Sequence, residues 1–411
     1  MLSQMARAGV LIAVLSGFCL PLAANTTVAE AAPLATPVSV KGKPLIIAQT
    51  DLSIPREAPV YIAPRQVRIG LLLPLHSQVL GPIADAVRAG VQAAYEREPA
   101  GVEVSLVDSG EAPQDVLTRY QEAATMNDIV VGPLTRTGVA AVAQSSSILK
   151  PTIALAQPES ASDTPVNLPP QMLVMGLSIE DEARQVATWA ARDNPGATAI
   201  VLHTGTAWQR RAASAFETQW QQNGKDVQLI ELPSNDGFLN GRSLLQLKKD
   251  VPPDRPIILF AALDARQARQ VHAVMGNGVT MYGTSQINPY TLTDRMANER
   301  APDMDGTRLL DMPWQLQPDH PAVMVYPRLV VAADQRRTAD MERFYALGID
   351  AYRVARELAL QNDQFEIDGV TGKLIVQFDS NKAHIDRVAQ RAVYRDGSVA
   401  PIPDVEFQDV E

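Results

Sequence analysis

From Val67 onward, short apolar runs alternate with stretches whose apolar residues recur at helical spacing. Val67 to Leu75 is strand-like, with RIGLLLPL at its centre. Pro82 then opens a helix at a position where its missing N–H costs nothing. Ile83, Ala86, Val87, Gly90, Val91 and Ala94 line one face of it. Val102 to Val107 alternates as a strand, and Pro113 opens a second helix with Val116, Leu117, Tyr120 and Ala124 inward. Asp128 to Val131 reads as a buried strand ending in Gly132-Pro133. A helix through Val139 and Val142 and a strand from Thr152 to Ala156 follow. This βαβα rhythm predicts a parallel sheet with helices on both faces.

The rhythm restarts after Gly176. Ser178 is placed to cap a helix whose first turn carries Glu180, Asp181 and Glu182, where the positive end favours acids. Strands are expected at Ala199–His203, Val227–Leu232, Ile257–Leu263 and Val279–Tyr282. Trp208, Ala212, Phe216 and Trp220 form one helical stripe. Asp264 caps a helix with Ala268, Val271, His272 and Met275 inward. A later helix carries Phe344, Leu347, Ala351, Val354 and Leu358, and the chain ends in β-rich segments. There, Asp396-Gly397 between Val393-Tyr394 and Val399 is a hairpin signal.

Two doubly wound units followed by return segments predict a two-lobed α/β body of the periplasmic-binding-protein type I fold. Each lobe should be a mainly parallel sheet flanked by helices. The expected first lobe is 66–178 plus about 304–375, and the second is 179–303 plus about 376–411. A cleft is expected between them at the carboxyl ends of the strands. His76 and His203, which follow strands, are candidate cleft residues together with Gln157 and Gln286.

The front of the chain changes the compartment. Met1 to Arg7 is short and basic, Ala8 to Ala23 is apolar, and small residues follow. This is the pattern of a secretory signal peptide, assigned to residues 1–24. Residues 25–65 hold six prolines and no sustained amphipathic period, so they read as an extended linker. Cys19 is the only cysteine and lies within the apolar stretch. It has two readings: a lipid acceptor, or a residue of a cleaved signal. Phe18 stands where lipoprotein processing wants a small residue. Either way, the body has no thiol for a disulfide, a zinc site or a nucleophile. Its net charge of -10, with acids scattered along the chain, disfavours a nucleic-acid partner.

Catalytic patterns are missing. The five histidines form no metal-binding pair. Gly132 to Gly138 lacks the Lys-Ser/Thr of a phosphate loop. Asp379, Asn381 and Asp386 lack the glycine and glutamate of a calcium loop. Ser147-Ile148-Leu149-Lys150 has the form Ser-x-x-Lys, but no Lys-Thr-Gly strand accompanies it. No enzyme activity and no cofactor are expected.

Several segments together carry a resemblance. They are IGLLLPL (Ile69–Leu75) with GPIADAVRAGVQAAY after it, VVGPL (Val130–Leu134) and PTIALA (Pro151–Ala156). DMPW (Asp311–Trp314), RFYALGIDAYRVA (Arg343–Ala355) and IDGVTGKL (Ile367–Leu374) complete the set. The chain resembles the penicillin-binding-protein activator family, the LpoA group. That resemblance implies a periplasmic protein tethered to the outer membrane that stimulates a class A penicillin-binding protein. It also singles out Asp311 and Trp314, near a lobe crossing or a partner surface. The helical-repeat domain of larger members has no counterpart here. The competing reading is a solute-binding protein of an amino-acid transporter. Against it, Ala154-Leu155-Ala156-Gln157-Pro158 lacks the hydroxyls that would hold a zwitterion after the fourth strand.

Overall fold

The computed structural model describes residues 66–145, 150–159, 167–252, 255–289, 300–331, 338–379 and 383–403. The signal-like segment, Cys19, the linker, Ser147 and Asn381 lie outside the described residues. The described residues all fall in one unit, Ala63–Glu411.

The first lobe runs β1 (Val67–Leu73), α1 (Gly81–Arg97), β2 (Val102–Asp108), α2 (Pro113–Met126), β3 (Ile129–Val131), α3 (Arg136–Ala143), β4 (Thr152–Ala154) and β5 (Met172–Val174). Its sheet is parallel, in the order β2-β1-β3-β4-β5. Helices cover both faces, so β1 is buried on both and reads as a continuous apolar run. Strand β5 was not foreseen. Three residues are too few to show a period.

The second lobe runs α4 (Ile179–Asp193), β6 (Thr198–His203), α5 (Ala207–Gln222), β7 (Val227–Glu231), the small hairpin of β8 (Ser234–Asn235) and β9 (Phe238–Leu239), α6 (Gly241–Asp250), β10 (Ile257–Ala261), α7 (Ala265–Met275), β11 (Thr280–Gly283) and β12 (Arg308–Asp311). Its parallel strands take the order β7-β6-β10-β11-β12, which repeats the order of the first lobe. The caps read from the sequence are present. Ser178 Oγ accepts from Asp181 N at 3.0 Å, and Asp264 forms a capping box with Gln267.

The return begins with two single-turn helices, α8 (Pro313–Leu316) and α9 (Pro321–Met324), and the long α10 (Ala339–Ala359). Then come β13 (Gln364–Asp368), β14 (Lys373–Phe378), β15 (Ala383–Val388), β16 (Gln390–Arg395) and β17 (Ser398–Pro401). Helix α10 lies on α1, and Val87, Leu347, Ala351 and Val354 share the first lobe's core. Strands β13 to β15 form their own antiparallel sheet, whose Ile367, Leu374 and Val376 join that core. Strands β16 and β17 close the second lobe's sheet, with Asp396 and Gly397 both at positive φ in the expected two-residue turn.

These pairings move two expected boundaries. The return to the first lobe was expected from about 304. Strand β12 instead pairs with β11, and Leu310 faces the second lobe's core, so the crossing comes after Asp311. The final crossing was expected from about 376. Strand β15 stays paired with β14 up to Val388, so the chain leaves the first lobe only there.

Candidate functional site

Three chain crossings join the lobes: β5 to α4, β12 to α8, and β15 to β16. Residues of all three line one cavity of about 810 Å³. Gly176 and Ser178 come from the first, Asp311 and Met312 from the second, and Arg387 and Ala389 from the third.

Buried polar groups knit the crossings together. Asp311 ends β12 and is fully buried. Its carboxylate accepts from its neighbour Met312 N at 2.8 Å, from Asn288 Nδ2 at 2.7 Å and from Arg343 Nη2 at 2.8 Å. Arg343 reaches across from α10 and also donates to Ser285 O at 3.3 Å, and its Nε and Nη1 find no partner among the described residues. Burial pulls this guanidinium down, but the Asp311 and Glu182 carboxylates hold it above its ordinary value. Glu182, in the first turn of α4, accepts from Ser285 N at 2.8 Å and Ser285 Oγ at 3.1 Å. Desolvation and the Asp311 charge push Glu182 up to about 7, against the bonds from Ser285 and the Arg343 charge.

A second knot lies beside the first. Asp350 of α10 is fully buried and accepts from Val370 N at 3.0 Å, Thr371 N at 2.8 Å and Thr371 Oγ1 at 2.7 Å. Trp314 N donates to Val370 O at 2.9 Å. The DMPW, ALGIDAY and IDGVTGKL segments therefore meet on one loop. Arg387 of β15 donates to Thr371 Oγ1 at 3.0 Å, Gly176 O at 3.2 Å and Met175 O at 2.6 Å, tying that loop to the first crossing.

The candidate residues are not gathered in one place. Gln157 lines the cavity, with Nε2 at 3.5 Å from Asp181 Oδ2. His76 is exposed after β1, with Nδ1 at 2.9 Å from Asp108 Oδ2. His203 is buried at the end of β6, with Nδ1 at 2.8 Å from Thr204 O. Those two histidines sit where each sheet's strand order reverses, the switch point of an open α/β sheet. Gln286 is half-buried in the short turn Ser285–Ile287. None of these three lines the cavity. Trp314 is buried, with Nε1 donating to Glu342 Oε2 at 2.7 Å and Arg328 4.4 Å from its ring. Glu182, Arg343, Asp350 and Arg387 were missed. For two of them a signal existed: Arg343 and Asp350 fall in line with the apolar stripe of Leu347, Ala351 and Val354. Among the described residues, no group of three His, Cys, Asp or Glu could hold a metal.

The sequence matches the family described as "LppC putative lipoprotein" over residues 62–251 and 253–397. The chain belongs to the LppC family. This LppC chain is similar in structure to a "putative branched-chain amino acid ABC transporter" from Chromobacterium violaceum. The two are 33% identical over 80% of this chain and 100% of the other, with a TM-score of 0.62. It is also similar to the LpoA C-domain from Haemophilus influenzae, described as a regulator of PBP1A. That match has 21% identity, covers 82% of this chain and 100% of the other, and has a TM-score of 0.62. Against full-length LpoA from the same organism, this LppC chain covers 59% of the larger protein, with a TM-score of 0.63. No curated protein matches the chain. Its fold is the two-lobed periplasmic-binding-protein type, as in these neighbours.

Proposed function

We propose that this LppC chain is a non-catalytic activator that docks on a class A penicillin-binding protein and raises its cross-linking rate. The observation that carries this is the family match together with the three segments that meet at the lobe crossing. The LpoA C-domain is described as a regulator of PBP1A, and its whole length aligns with this body. In this reading the protein works in the periplasm. The linker sets its reach from the outer membrane, and Cys19 is the lipid acceptor if the signal is processed as a lipoprotein.

An activator must bind the active synthase conformation more tightly than the inactive one. A tenfold activation needs about 1.4 kcal/mol of differential affinity, which a modest interface supplies. The deciding experiment mixes the purified body with its cognate synthase and lipid-linked precursor. Cross-linking should rise, and the body alone should neither form polymer nor release wall fragments. Unchanged cross-linking with no binding at micromolar concentration overturns the reading.

One observation favours a second reading, a transporter's solute-binding protein. The Chromobacterium violaceum neighbour carries that description and is 33% identical. Ligand screening, argued in the Discussion, separates the two.

A further inference from the structure

Arg343 belongs to one lobe and is bonded to the other. Its helix, α10, packs into the first lobe's core through Leu347, Ile349 and Val354. Its guanidinium donates to Asp311 Oδ2 at 2.8 Å and to Ser285 O at 3.3 Å, and both acceptors lie in the second lobe. Asp311 ends β12, where the second crossing starts. Glu182 lies in the first turn of α4, just past the first crossing, and is clamped to Ser285. A cluster fastened at those two places acts on the hinge itself, where a small displacement turns one lobe against the other.

The charges in the cluster do not balance. Glu182 faces Asp311 from β12 and Arg343 from α10, and Arg387 from β15 faces both Glu182 and its neighbour Asp181. Arg387 is bonded to Thr371 and to the carbonyl oxygens of Met175 and Gly176, and Asp181 is paired with Arg184. Asp340 acts on Arg343 from its own helix. At the centre, one guanidinium stands between two carboxylates. With Glu182 protonated these three groups sum to zero charge. With Glu182 ionised they carry a net negative charge away from water, which is unfavourable. Burial and Asp311 hold Glu182 at about 7, so the present arrangement suits the protonated acid. An arrangement that admits water to Glu182, or brings it onto Arg343, lowers that value and gains population as pH rises. Arg343 offers such a place. Its Nε and Nη1 are buried and have no partner among the described residues, so a carboxylate that moves to them gains charge-assisted hydrogen bonds.

We infer that Glu182, Asp311 and Arg343 form a proton-operated hinge lock. With Glu182 protonated, Arg343 pins the lobes in the arrangement described above; with Glu182 ionised, the lobes turn to a second one. This goes beyond the synthase reading and stands without it, since the test contains neither synthase nor wall precursor.

The test uses the full chain with Cys19→Ser, which removes its one native thiol. Spin labels are placed through Thr118→Cys and Ser214→Cys, exposed positions on α2 of the first lobe and α5 of the second. The distance distribution between them is measured by electron resonance from about pH 5 to about pH 8.5. A second population should grow as pH climbs toward about 7 and level off above it. The ratio of the two should change by about tenfold for each unit by which Glu182 is lower in the second arrangement. Glu182→Gln, which cannot ionise, should keep the low-pH distribution throughout. A label pair within the first lobe, Gln92→Cys with Thr118→Cys, should not respond. A between-lobe distribution that is constant with pH overturns the inference, and so does a shift that persists in Glu182→Gln. An equal shift in the within-lobe pair overturns it as well, since the change then lies inside a lobe and not at the hinge.

Discussion

Glu182 shows how one residue's setting can oppose its local sequence. A glutamate in a helix's first turn is ordinarily favoured as an anion by the helix dipole. Here desolvation and the nearby Asp311 carboxylate outweigh that effect and raise it from 4.5 to about 7. A group whose folded value is raised contributes its full stability below its unfolded value, and that stability is lost as pH climbs toward the folded value. Stability linked to Glu182 should therefore fall between about pH 4.5 and 7, by roughly 1–3 kcal/mol for a half-buried group. Glu182→Gln keeps a carbonyl for Ser285 N and removes the charge. Urea unfolding should find this variant more stable than the parent at pH 8 and nearly equal to it at pH 4.5. A gap independent of pH would assign the effect to packing instead. The Ser178 cap was legible because its partner is three residues away. The Glu182–Ser285 clamp joins two segments about a hundred residues apart, and no local pattern marks it.

At the scale of elements, the contact of α1 with α10 decides how the first lobe closes. The two helices cross at paired glycines. A Cβ on Gly90 would collide with the Tyr345 carbonyl oxygen, and a Cβ on Gly348 with that of Val87. Glycine is needed here for close approach of two backbones, not for an unusual φ. Gly348→Ala should therefore cost about 1–3 kcal/mol by overpacking, despite alanine's better helix propensity. Gly241→Ala, where an added Cβ meets nothing within 4 Å, should change stability by less than about 1 kcal/mol. Thermal or denaturant midpoints of both variants check this, and equal midpoints would refute the crossing as the cause. The helical face through Ala86, Val87, Gly90 and Val91 was visible in the sequence. Its partner was not, because α10 lies on the far side of the second lobe in chain order. Strand β5 escaped for another reason: its hydrogen bonds come from β4, not from any pattern in Met172–Val174.

At the scale of the whole molecule, the two readings of function separate on small ligands. The segment after β4 is Ala154-Leu155-Ala156-Gln157-Pro158, with Ala154 and Leu155 buried and no hydroxyl among the five. A zwitterion there would forgo charge-assisted hydrogen bonds worth about 1.5–3 kcal/mol each. Free amino acids should therefore leave the thermal midpoint unmoved. A true ligand at 100 times its dissociation constant would add about 2.7 kcal/mol, a visible shift. A clear shift with any standard amino acid favours the solute-binding reading over the synthase activator.

The sequence alone determined most helices and strands, the caps at Ser178 and Asp264, the terminal hairpin and the two-lobed class. Each of these depends on residues within a turn or two, where apolar period and backbone preference act directly. Tertiary structure decided where the chain crosses between lobes and which buried charges meet there. Strand β12 joins the second lobe because β11 offers it an open edge, and Arg343 is buried because Asp311 and Ser285 receive it. Such choices rest on contacts between distant segments, whose energies exist only once both partners have been brought together.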